Sequence, residues 1–179
     1  MKIKVSKILL ESALIFQAKN DIRYYLNGIC FKADGRVCST DGHHAFVGGK
    51  HKGKLTEDVI LSISKAPTKK YDYAEIDTDI GSITYHNDNT IQTGVGMISV
   101  IDGRFPDIDR IIPKETSPCD RIGFNAGYLA DIEKAAKLFS PKFTAVIIEM
   151  NGSTNAAAAK LKSPCGEAAT IIVMPMRID

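Results

Sequence analysis

The residues best suited to chemistry are gathered in one stretch, Asp41-Gly42-His43-His44. An imidazole beside a carboxylate can serve as a general base or help to hold a metal. Either role needs more groups: a nucleophile oriented on the pair, or further ligands supplied by the fold. His51 and His86 give no ligand pattern, and the cysteines Cys30, Cys38, Cys119 and Cys165 include no C-x-x-C pair. There is no G-x-S-x-G elbow, and Gly94-x-Gly96 lacks the helix that follows a phosphate loop. The carboxylate pairs Asp77-x-Asp79 and Asp107-x-Asp109 sit beside turns, where they cap or solubilise. These observations argue against an enzyme, and no metal or cofactor is expected. The histidine stretch then reads as a tight turn, alone or with a surface pocket. Gly42 would supply unusual backbone angles and Asp41 would bond the turn's own amides.

Charge narrows the partners. With 23 Lys and Arg against 21 Asp and Glu, the formal charge is only +2. Contact with nucleic acid would have to come from a local basic cluster. Lys65, Lys69, Lys70, Lys134 and Lys137 are the candidates: they read either as solvated surface or as a non-sequence-specific face toward duplex DNA. No apolar run approaches the ~20 residues of a membrane span, and Met1–Lys4 opens directly into an alternating pattern with no apolar signal region. A cytoplasmic location with reduced thiols is expected. A two-residue turn at Asp34-Gly35 would place Cys30 opposite Ser39, so no disulfide is expected between Cys30 and Cys38.

The elements that must position these residues form an α+β chain of three approximate strand–helix–strands units. In the first, Ile3–Val5 is a strand, and Ser6 caps a helix from Lys7 to about Lys19. Strands at Tyr24–Lys32, Val37–Ser39 and Ala45–Val47 follow. In the second, Val59–Ile63 precedes Ser64–Tyr71, where Pro67 leaves room for a short helix at best. Ala74–Asp77, Ile80–Tyr85, Thr90–Thr93 and Met97–Val100 then read as strands. Lys114–Cys119 reads as a linker. In the third, Arg121–Phe124 is a strand, Asn125 caps a helix from Ala126 to Phe139, and Pro141 stops it. Thr144–Met150, Ala156–Leu161 and Ala168–Met174 complete the strands. The tail Ile171–Ile178 reads either as a last core strand or as a peptide groove. Pro175 cannot continue a central ladder, and methionines suit adaptable surfaces.

Four stretches carry a resemblance. Asp21–Gly28 (Asp-Ile-Arg-Tyr-Tyr-Leu-Asn-Gly), Ser39–His43 (Ser-Thr-Asp-Gly-His), Ile101–Asp107 (Ile-Asp-Gly-Arg-Phe-Pro-Asp) and Val173–Arg177 (Val-Met-Pro-Met-Arg) resemble the bacterial DNA polymerase III beta subunit, the sliding clamp. Ile122–Leu129 is similar to the helix entry of that clamp's last domain. The stretches follow the family's order and reach nearly end to end. The resemblance implies the DNA-clamp (processivity) fold. It matches residues 1–114 to the family's middle domain and 115–179 to the second half of its last domain, in a shortened form.

It also implies a function in DNA replication: binding short linear motifs of polymerases, the clamp loader and repair proteins, with duplex DNA and further copies of the chain as other partners. The groove carries over to Arg23, Leu26, Thr40, Gly42, His43, Pro106, Arg110, Ile111, Ile172, Val173, Met174, Pro175, Met176 and Arg177. Leu26, Ile111, Val173 and Met176 would wall an apolar slot, while Arg23, His43 and Arg177 offer polar anchors. Departures from the family pattern fall at His44 and Ala45, where it has Arg and Leu, and at Asp109, where it has a basic residue. Ala45 should widen the pocket. The alternative function is a non-encircling decoy or adaptor that competes with a full-length clamp for its clients.

Overall fold

The computed structural model describes residues 1–63 and 66–177. Ser6 begins helix α1 (Lys7–Phe16), its hydroxyl accepting from the Leu9 amide at 3.4 Å after strand β1 (Lys2–Ser6). The helix stops at Phe16, three residues short of the expected limit, because the backbone turns extended at Gln17 (ψ 148°). Its buried face of Leu9, Leu10, Ala13 and Phe16 anchors the main core. Each large apolar side chain removed from water contributes roughly 1.5–3 kcal/mol.

Strands β2 (Ile29–Phe31), β3 (Arg36–Thr40) and β4 (His44–Lys50) follow, then β5 (Val59–Ile63). The β2–β3 connection is a residue longer than expected. The Lys32 amide donates to the Arg36 carbonyl across Ala33-Asp34-Gly35, with Gly35 at φ +97°. Such a three-residue loop with a left-handed last position shifts the register by one. Cys30 therefore faces Cys38, not Ser39; both are buried free thiols. Burial pushes the Cys38 thiol up to about 12.

Residues 66–72 carry no helix, and Ser64 and Lys65, which begin the short helix considered there, lie outside the described residues. Strands β6 (Tyr73–Asp77) and β7 (Ser82–His86) lead into β8 (Gln92–Ile101). Two expected strands thus merge into one of ten residues. Gly94 and Gly96 do not break it, because its first half pairs with β7 and its second with β5. Residues 121–124, expected as a strand, hold a single bridge, from Gly123 to Met176. Helix α2 (Ala126–Phe139) is capped by the Asn125 side chain, which accepts from the Gly127 amide at 2.8 Å. Strands β9 (Ile147–Glu149), β10 (Ala157–Lys162) and β11 (Ala168–Val173) close the chain.

The strands form one antiparallel sheet in the order β1-β6-β7-β8-β5-β2-β3-β4-β11-β10-β9. The β3–β4 turn is joined to the end of the chain by the seam of β4 against β11, which pairs Ala45 with Ile172 and His44 with Val173. Helices α1 and α2 pack on each other against the sheet. Because strand side chains alternate, Phe46, Ile171 and Val173 enter the main core beneath the helices. Ala45, Val47 and Ile172 point the other way, into a second cluster roofed by Ile101, Phe105, Ile108 and Ile112.

Candidate functional site

The turn between β3 and β4 is assembled from its own polar groups. Gly42 stands at φ +94°, a conformation that favours glycine. Asp41 Oδ1 accepts from the amides of His43 and His44 at 2.8 and 2.9 Å. The Thr40 hydroxyl donates to the His44 carbonyl at 2.8 Å and accepts from the Gly42 amide at 3.0 Å. Burial would raise the Asp41 pKa, but contact with the His44 ring and the two amide bonds hold it at about 2. The cluster is therefore a turn, with Asp41 consumed in building it.

Arg23 buttresses this turn. Its guanidinium grips Asp21 with Nε at 3.0 Å and Nη2 at 2.7 Å, and Nη2 also donates to the Asp41 carbonyl at 3.1 Å. That grip keeps Asp21 at about 2 as well. A Cβ on Gly42 would stand 2.8 Å from Arg23 Nη1, so the arginine covers the glycine closely.

His44 turns inward. Its ring is 5% exposed, tilted against Phe16 at 4.7 Å and Tyr128 at 4.5 Å. Nε2 lies 3.3 Å from Asp131 Oδ2 on α2. Nδ1 lies 2.8 Å from Asp41 Oδ1. The residue thus joins the turn to both helices. Its neighbour His43 stays exposed and stacks on Tyr128 at 6.2 Å. Tyr128 belongs to the site yet was not singled out in the sequence. Its spacing on α2 marks it only as a core-facing position.

The tail crosses in front of this turn. The Met174 amide donates to the His43 carbonyl at 2.9 Å, and the Met176 amide to the Gly123 carbonyl at 2.8 Å. Pro175 sits between these two bonds, where a missing N–H costs nothing. Two clefts flank the tail. One, of about 500 Å³, is lined by Arg110, Ile111, Pro113, Asn155, Ala156 and Met174 among others. The other, of about 460 Å³, is lined by Arg121, Ile122, Gly123, Ser153, Thr154, Met176 and Arg177. Thr154 belongs to both.

The residues carried over from the family divide into two groups. Gly42, His43, Pro106, Arg110, Ile111, Met174, Met176 and Arg177 are exposed, and Pro175 is partly so. Met176 is half exposed and Ile111 40% exposed, so both can meet a ligand directly. Leu26, Thr40, Ile172 and Val173 are buried and line neither cleft, and Ile111 and Met176 line separate ones, so the expected apolar slot of Leu26, Ile111, Val173 and Met176 is not formed. Ala45 is also buried, beneath the 101–112 roof. The sheet side of Ala45 is thus filled, not opened as a wider pocket. Asp109 pairs with Arg36 through both guanidinium nitrogens, the longer contact being 2.9 Å. That bond ties the loop carrying Arg110 and Ile111 down to β3.

The lysines considered for DNA lie elsewhere. Lys134 is bonded to Asp131 at 2.7 Å and Lys137 to Glu133 at 2.6 Å, so both charges are offset within α2. Lys69 and Lys70 are exposed, and Lys65 lies outside the described residues.

The fold, an antiparallel sheet with two helices packed on it, is shared with solved DNA polymerase sliding clamps. The structure aligns with the DNA polymerase sliding clamp of Pseudomonas aeruginosa at a TM-score of 0.67 and 17% identity, over 98% of this chain and 66% of that one. It aligns with the DNA polymerase III beta subunit of Thermotoga maritima at 0.64 and 16%, over 100% of this chain and 66% of that one. In sequence, the chain resembles the bacterial beta sliding clamp. It is 30% identical to that of Vibrio cholerae over 151 residues, which are 79% of this chain and 40% of the relative. With that of Escherichia coli it shares 31% over 121 residues, 60% of this chain and 31% of the relative. The chain thus spans well under half the length of the curated relatives it matches. No protein-family model matches it.

Proposed function

We propose that this chain is a non-enzymatic, sliding-clamp-like protein of DNA replication, working in the cytoplasm. Its clefts beside the Met174–Arg177 tail bind short linear motifs of polymerases, the clamp loader or repair proteins. In this reading residues 1–114 stand for the clamp's middle domain and 115–179 for half of its last domain. The observation that carries it is the β4–β11 seam. There a hydrogen bond from Met174 to the turn at His43 docks the tail, leaving exposed Met174 in one flanking cleft with Arg110 and Ile111 and exposed Met176 in the other with Arg121 and Arg177. An extended peptide offers what such a site can use: apolar anchors for the methionines and backbone groups for the polar rim. Methionine side chains adapt to differently shaped anchors, which suits a site with several clients.

Fluorescence anisotropy of a labelled peptide with leucine and phenylalanine anchors tests this. Binding at roughly micromolar affinity, about −8 kcal/mol, is expected, and Met176→Ala should weaken it about tenfold. Saturable binding that ignores Met176→Ala would place the site elsewhere; no binding would remove the reading.

The ion-paired state of Lys134 and Lys137 supports a second reading, the non-encircling decoy or adaptor. Helices whose charges are already offset present a weak field to phosphates. Addition of excess protein to clamp-dependent DNA synthesis distinguishes the two. A decoy inhibits it, and a ring-forming processivity factor instead remains on circular DNA as an oligomer.

A further inference from the structure

We infer that the cleft between Arg121 and Arg177 is a carboxylate-binding site, which reads an acidic residue flanking the linear motif held beside it. The inference rests on the motif-binding reading and adds to it a preference for partner chemistry.

Arg121 and Arg177 lie on segments far apart in sequence, and the bridge from Met176 to Gly123 brings them to one concavity. The hydroxyl-bearing Ser153 and Thr154 complete its lining. Among the described residues neither arginine forms an ion pair, whereas Arg23 and Arg36 are each locked onto aspartates. Two guanidiniums beside two hydroxyls in one cleft offer the donors that a carboxylate accepts, including paired N–H bonds from one fork. The cleft's apolar members, Ile122 and Met176, offer no competing polar partner, so the charges are the main recognition element.

Continuity points to the occupant. Thr154 lines both clefts, and Met174 and Met176 are alternate residues of one extended tail. A peptide with its apolar anchors at the methionines therefore passes within a residue or two of the arginines. Duplex DNA would instead call for a row of cations along its backbone. The lysines of α2 do not supply one, being paired within the helix.

The test uses two fluorescein-labelled peptides with the same leucine and phenylalanine anchors. One is flanked on both sides by aspartates, the other by asparagines. The readout is the ratio of their affinities at low and high salt, with a labelled duplex as a third probe. Wild type should favour the aspartate peptide roughly five- to tenfold at low salt, less at high salt. Arg121→Gln should bring the ratio close to one and Arg121→Glu should invert it. Equal affinities in wild type, or a preference that survives Arg121→Glu, would overturn the inference while leaving the motif-binding reading standing. If neither peptide binds, both fall together. If Arg121→Glu abolishes duplex binding and leaves the peptide ratio untouched, the cleft serves phosphates and the inference is wrong.

Discussion

The two sides of the site are built on opposite plans. The turn at residues 40–44 is held by at least six hydrogen bonds among Arg23, Thr40, Asp41 and their backbone neighbours. Among the described residues, the tail at 174–177 is held by two backbone bonds and leaves its methionines exposed. One side is a fixed frame with its polar groups used up internally. The other keeps its side chains for a ligand. Substitutions should therefore separate stability from binding: losses at the turn show first in unfolding, and losses at the tail show only in affinity.

The largest effect is expected from Asp41→Ala. It leaves the His43 and His44 amides without their acceptor and leaves His44 facing one carboxylate instead of two. The cost should be about 2–3 kcal/mol, read as a lower urea midpoint at an unchanged slope. A loss below ~0.5 kcal/mol would mean that the turn is not the rigid partner. Gly42→Ala should follow at about 1–2 kcal/mol, because an L-residue must hold a positive φ and displace Arg23. Met176→Ala, by contrast, should leave the unfolding midpoint within about 0.5 kcal/mol of wild type while weakening the peptide about tenfold. A matching loss of stability would erase the contrast between the two sides.

Acid should act on the turn before the tail. The Asp41 pKa is lowered in the folded protein from 3.8 to about 2. A depressed carboxylate contributes stability above its unfolded pKa and loses it as the pH falls through the folded one. Thermal midpoints should therefore drop between pH ~4 and ~2, and Asp41→Asn should flatten that slope. An unchanged slope would assign the acid sensitivity to other carboxylates, Asp21 among them. Smallest of all, Lys137→Ala should leave the urea midpoint almost unchanged, since it removes one solvent-screened i,i+4 pair.

The sequence was most legible where interactions are local. Ser6 and Asn125 were both read as caps, and both accept amides of the first turn. The turn role of Gly42 and Asp41 could be read from residue type alone, because the bonds of Asp41 span three residues or fewer. Legibility failed where a choice depended on a distant partner. The β2–β3 register was missed because loop length, not the Asp-Gly signal, sets it. The merged strand β8 depends on two different neighbours, β7 and β5. The stretch 121–124 was read as a strand from its pattern, but the distant tail gives it only one bridge, from Met176 to Gly123.

By itself the sequence determined the α+β class, both helices and the chemistry of the turn, since backbone capping and alternation are properties of neighbours along the chain. The resemblance it carries pointed to the clamp fold that the structure shows. Only the tertiary structure decided which groove candidates face water, that His44 is buried between two helices, and that Arg121 and Arg177 line one cleft. Those outcomes follow from the β4–β11 seam, the packing of α1 on α2 and the bridge between Gly123 and Met176. Those contacts join segments far apart along the chain, and no local propensity encodes them.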